Sequence, residues 1–178
     1  SYAPGGMERW SAKALAMAGP LCTAYGRPRV AFGCRGNTAH YYGYHRSRSF
    51  IVNSPYSSQK LGDYSIQSTL DTSEPDWNLC SAFDFVPGDW GSVENRRRMV
   101  ELTTRLRKAA LARDPAMAAL REIAGTLDGR TVTRFRCADG AILSPFDSSH
   151  LDHIHGSFWR SRAKRDHSGI VQIMIGDD

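Results

Sequence analysis

The chain has 178 residues, 41% of them hydrophobic and 10% aromatic, with a formal net charge of +5. That is enough apolar material for one ordinary core, so a single domain over 1–178 is expected. No apolar run is long enough for a membrane-spanning helix, and no charged segment leads into an apolar one as in an export signal. The first residue is Ser rather than Met, and the chain reads as a soluble, monomeric piece of something longer. The basic balance favours a polyanionic partner, either nucleic acid or the acidic polymers of a bacterial wall, and charge alone does not choose between them. Cys22, Cys34, Cys80 and Cys137 are widely spaced and form no Cys-x-x-Cys pair, which argues against a zinc ribbon or a redox motif. Buried free thiols are their expected state, with Cys22 and Cys34 the closest pair should a disulfide form.

In chain order, residues 7–18 combine helix formers with apolar residues at Met7, Trp10, Ala14 and Met17, and Gly19-Pro20 reads as the stop signal of a leading helix. Loop follows to Asn37, with one short strand candidate at 29–32. From His40 the chain turns aromatic and basic, His-Tyr-Tyr-Gly-Tyr-His-Arg-Ser-Arg-Ser-Phe, which suggests strand or loop. His45 is the more interesting of its two histidines, because Gly43 allows a close backbone approach just before it. Residues 79–86 read as a buried strand with Asp84 embedded in it, and a carboxylate there needs a salt bridge, a cap or a metal.

Ser92 and Glu94 mark the start of an amphipathic helix reaching Arg113, with Met99, Leu102, Leu106 and Ala109 or Ala110 on one stripe. Asp114-Pro115 reads as the opening of a second helix that turns Met117, Leu120 and Ile123 inward and ends at Gly125. Residues 130–137 alternate as a strand, Ala138-Asp139-Gly140 is a turn, and residues 169–175 read as a final short strand. The sum is an α+β fold, a small antiparallel sheet with flanking helices.

Three of the six histidines fall within His150-Leu151-Asp152-His153-Ile154-His155. On a strand His153, His155, Ser157 and Trp159 share one face and Ile154 and Phe158 the other. A catalytic zinc takes three protein ligands and keeps a fourth position open, and His45, Asp84 and His155 supply such a set. Asp152 is the carboxylate placed to take a proton, and His153 lies where it can donate to an oxyanion. Arg46 or Arg48 can hold a substrate carboxylate.

The pieces Gly43-Tyr44-His45, Ser81-Ala82-Phe83-Asp84 and Asp152-His153-Ile154-His155 resemble the zinc D-Ala-D-Ala carboxypeptidases and L-alanyl-D-glutamate endopeptidases of peptidoglycan, with relatives among phage lysins. The resemblance implies zinc held by His45, Asp84 and His155, with Asp152, three positions before the last histidine, as general base. It also implies a hydrolase of wall peptides, an endopeptidase more than a carboxypeptidase, acting outside the cytoplasm without nucleic acid or membrane insertion. The family carries its first histidine roughly seven residues before the aspartate, where this chain has Trp77. Either an insertion separates His45 from Asp84 or another residue, with His40 the substitute, is the first ligand. The base role also requires the last strand to begin at or after His153. Two rivals stand beside this reading. One is a His-metal nuclease, weakened because no Asn follows Asn95, and the other is a wall-binding module without catalysis.

Overall fold

A computed structural model describes residues 8–34 and 40–176. Met7 and part of the expected loop before His40 lie outside these. In chain order the elements are β1 (Arg9–Trp10), α1 (Ala12–Leu15), α2 (Ala18–Tyr25), β2 (Phe32–Gly33), α3 (Arg48–Asn53), α4 (Thr69–Thr72), β3 (Leu79–Cys80) and β4 (Ala82–Phe85). They continue with α5 (Val93–Leu111), β5 (Leu120–Gly125), β6 (Thr133–Arg136), β7 (Ile142–Leu143), β8 (Ile154–Phe158) and α6 (Ser168–Ile175). Six strands form an antiparallel sheet in the order β2-β4-β8-β5-β6-β7, and β1 pairs in parallel with β3.

Strand alternation divides the sheet into a greasy face and a polar one. Phe83, Phe85, Ile123, Phe135, Ile154 and Phe158 turn into a core with Leu21 of α2, Met99, Leu102 and Leu106 of α5, and Ile170 and Met174 of α6. Gly156 is opposite Phe83, and a Cβ there would meet the ring at 2.3 Å, so its absence makes room for the phenyl group. The opposite face carries two rows read across the strands. Asp84, His155 and Ala124 are register partners in one row, and Ala82, Ser157 and Glu122 in the next.

Helix α5 forms as its sequence suggests, with Ser92 accepting from the Asn95 amide at its start and the expected apolar stripe buried. Three expectations are corrected. The leading helix expected over 7–18 is instead strand β1 at Arg9–Trp10 followed by the short α1, and Gly19-Pro20 does not stop it but lies in the first turn of α2, where a missing N–H costs nothing, with Gly26 at φ 62° ending that helix. Residues 114–125 are not a helix: Asp114 caps one 3-10 turn, Pro115–Met117, and the chain then enters β5. Leu120, Ile123 and Ala124 fit the helical period, but pairing with β6 and β8, with a register shift between Leu120 and Glu122, makes the segment a strand. The final segment is helix α6 rather than a strand, because Ile170, Val171 and Met174 bury as one helical stripe. The aromatic run from His40 is loop, followed by the short helix α3 capped by Ser47. All four cysteines are free and buried.

Candidate metal centre

The register of β4 against β8 sets Asp84 directly opposite His155, so carboxylate and imidazole project side by side. His45 arrives from a loop that has no secondary structure of its own and is held by its neighbours. Gly43, at φ 79°, donates its amide to Asp63 at 3.2 Å, and a Cβ added there would meet the Tyr64 ring at 3.5 Å. The buried Tyr44 donates its hydroxyl to Asp71 at 2.6 Å, and the Ser81 amide at the edge of β4 donates to the Tyr44 carbonyl at 2.7 Å. The fully buried Arg160 brackets His45, donating to the carbonyls of Gly43 at 3.2 Å and Arg46 at 2.9 Å.

Three donor atoms then converge. His45 Nε2 lies 3.1 Å from Asp84 Oδ1 and 3.0 Å from His155 Nδ1, and His155 Nδ1 lies 3.2 Å from Asp84 Oδ1. Tetrahedral zinc with Zn–N near 2.0–2.1 Å needs ligand atoms about 3.3 Å apart, so a few tenths of an ångström of spreading admits an ion. Three lone pairs at such separations repel one another unless a proton or a metal ion lies among them. The group can hold a metal ion.

Burial and the shared carboxylate shift the three groups in different directions. Burial alone raises a carboxyl, yet the imidazoles of His45 and His155 hold Asp84 well below the usual carboxylate range. Burial lowers a histidine, but the Asp84 carboxylate more than offsets it at His45, which is raised. At His155 burial dominates and the ring is lowered. His45 Nδ1 makes no well-formed hydrogen bond, although the Cys34 backbone is near enough to favour a proton there. On the far side of His155, Nε2 lies 2.7 Å from Ser157 Oγ, and Ser157 donates to Glu122 at 2.9 Å.

A cavity of about 720 Å³ opens over the donor set. His40, His45, His150, His153 and His155 line it, with Tyr42, Tyr44, Tyr64, Trp90 and Phe146 as aromatic walls. His153 falls just before β8, hands its Nδ1 proton to the Ser149 carbonyl at 2.9 Å, and turns Nε2 to within 3.6 Å of Asp84 Oδ1. Trp90 stacks on its ring at 5.7 Å. His40 packs against His45 with ring centroids 4.8 Å apart, and burial and the neighbouring His45 push it down to about 4. It is a wall residue, and the donor set uses His45. His150 is more than a loop residue: it is buried, tilts against His153 at 4.5 Å and donates to the Asp147 carbonyl at 3.0 Å.

Other expected site residues are not brought together with these. Asp152 does not line the cavity. It ends the 3-10 turn Ser148–Leu151 with its carboxylate aimed at the start of α5, where Arg96 grips both oxygens at 3.0 and 3.1 Å and the Gly91 amide donates at 3.0 Å. The spacing to His155 is right, but the turn directs the side chain away. Arg46 pairs with Glu8 at 2.6 Å and donates to the His40 carbonyl, and Arg48 donates to the carbonyls of Thr72 and Glu74. Neither lines the cavity. Trp77, where the resemblance would have the first ligand, instead lies under the Arg48 guanidinium at 4.4 Å. Glu122, Tyr64 and Arg160 were missed by sequence reasoning. Glu122 lay in the supposed second helix, where its only signal was a charge among apolar residues.

No protein-family model, no curated protein and no solved structure matches the chain.

Proposed function

We propose that this protein is a zinc metallopeptidase that hydrolyses an amide in the stem or cross-link peptides of bacterial peptidoglycan, outside the cytoplasm, as a phage-type lysin or wall-remodelling domain. The observation that carries the proposal is the His45-Asp84-His155 donor set at the floor of an open cavity. Three protein ligands with free space beside them are the pattern of a catalytic ion, whereas structural zinc closes its shell with a fourth side chain. Zinc bound there would supply a water with a pKa near 7 and polarise the scissile carbonyl.

The chain's own residues supply the rest. The aromatic walls grip an extended peptide and exclude water from it. The Ser149 carbonyl keeps a proton on His153 Nδ1, so neutral His153 presents an acceptor to the cavity and becomes a donor on taking up a proton. The oxyanion role expected of it therefore belongs to the protonated ring. Among the described residues no Lys or Arg lines the cavity.

Metal analysis of the purified protein and its His155→Ala variant, with mass spectrometry of fragments released from defined peptidoglycan, tests the proposal. One zinc per chain, lost in the variant, and new peptide termini are expected. A protein free of stoichiometric zinc, or one that leaves peptidoglycan intact while degrading DNA, overturns it.

A further inference from the structure

We propose that Glu122 and Ser157 are positioning residues that select the metal-binding tautomer of His155, an inference that rests on His45, Asp84 and His155 holding a metal. Glu122 is fully buried on β5, and a carboxylate in that position is costly unless it is paired. Arg134 bonds its Oε1, while Oε2 accepts from the Tyr64 hydroxyl at 2.8 Å and from Ser157 Oγ at 2.9 Å. The salt bridge neutralises the charge without explaining why the second oxygen is turned towards Ser157.

The proton count supplies the reason. An ionised carboxylate has no proton to give, so the single hydroxyl proton of Ser157 points at Glu122. Ser157 Oγ then meets His155 Nε2, 2.7 Å away, only as an acceptor, and the ring proton must be on Nε2. That leaves Nδ1 bare, and Nδ1 is the atom that faces His45 Nε2 and Asp84 Oδ1. The competing tautomer carries its proton on Nδ1 and can donate it to Asp84 at 3.2 Å, which occupies two ligands at once. The relay suppresses this competitor. It resembles the carboxylate-histidine pairing common around zinc, with a hydroxyl interposed. Tyr64, whose hydroxyl bonds Glu122, is also the side chain that a Cβ at Gly43, two residues before His45, would meet first.

The test uses the full chain, wild type and Ser157→Ala. Nitrogen-15 NMR of the metal-free protein reads the His155 tautomer, and competition with a chromophoric chelator reads zinc affinity. The expected result is an Nε2–H ring in the wild type, a shift towards Nδ1–H in the variant, and zinc affinity about 10- to 100-fold weaker. Ser157→Thr keeps the hydroxyl and is expected to restore both readings. Glu122→Gln serves if Ser157→Ala does not fold, with the same direction expected in both readings. An Nδ1–H ring in the wild type, or unchanged tautomer and affinity in the folded variant, overturns the relay. A wild type that binds zinc and shows the stated tautomer but cuts no peptidoglycan leaves the relay standing and removes the peptidase. A wild type that binds no zinc overturns both.

Discussion

At the scale of single residues, Asp152 shows how a matching spacing can meet a side chain that is engaged elsewhere. Its place three residues before His155 matches a general base, but its carboxylate is 7% exposed and fully engaged by Arg96, Asn95 and Gly91. By bonding the Gly91 amide it latches the loop whose Trp90 stacks on His153. Asp152→Asn is therefore expected to cost about 1–3 kcal/mol of stability, as loss of a charged hydrogen-bond partner does. Asp152→Asn and Arg96→Met should lose turnover to a similar degree, because each opens the same latch. Chemical denaturation and steady-state rates on both variants check this, and an inactive Asp152→Asn beside a near-normal Arg96→Met would return Asp152 to the role of base. The pH dependence has a definite sign. Hydrogen bonds from Arg96 hold the Asp152 carboxyl below its usual value of 3.8. Its contribution is therefore complete above that value and is lost as pH falls through the lower folded-state value. The stability gap between wild type and Asp152→Asn should be constant at neutral pH and close in acid, and a gap that widens in acid would contradict the latch.

At the scale of elements, the ligands differ in how far the sequence disclosed them. Asp84 and His155 were legible because each sits in an apolar strand where a polar side chain needs a purpose, and the sheet makes them register partners. His45 was legible as a residue but not as a neighbour, since 39 residues and four helices or helical turns separate it from Asp84. What brings it in is tertiary: the Arg160 fork, the Tyr44-Asp71 bond and the Gly43 turn. The misread segments have a similar cause. β5 and α6 are short apolar stretches whose type is chosen by the partner they pack on, information that local periodicity lacks. Arg160→Lys tests the loop argument. A lysine offers one compact charge in place of a planar fork that also serves the Leu79 and Ser65 carbonyls. Each buried carbonyl left bare costs about 1–3 kcal/mol, so a loss on the order of 3 kcal/mol is expected, with weakened zinc binding. Hydrogen exchange should show amides of residues 43–47 opening sooner. Unchanged exchange there would mean that the loop holds itself.

At the scale of the whole molecule, the three donors come from segments far apart in the chain, so a bound ion would join the loop layer to the sheet. The sheet and the helices behind it have their own core of phenylalanine and aliphatic side chains, which contains none of the donors. With an ion held there, folding and metal binding would be coupled but separable, unlike a zinc finger that has no fold without its ion. The metal-free protein is expected to fold cooperatively and to gain stability from zinc according to its affinity. Zinc at 100 times its dissociation constant adds about 2.7 kcal/mol. For a chain of this size that raises the melting temperature by about 5–10 °C, on the rule of 2–4 °C per kcal/mol. Calorimetry with and without zinc reads this directly. In Asp84→Asn the shift should shrink or vanish while the metal-free transition stays sharp, because the core is untouched. A shift of the same size in wild type and variant would place the stabilising ion elsewhere on the molecule.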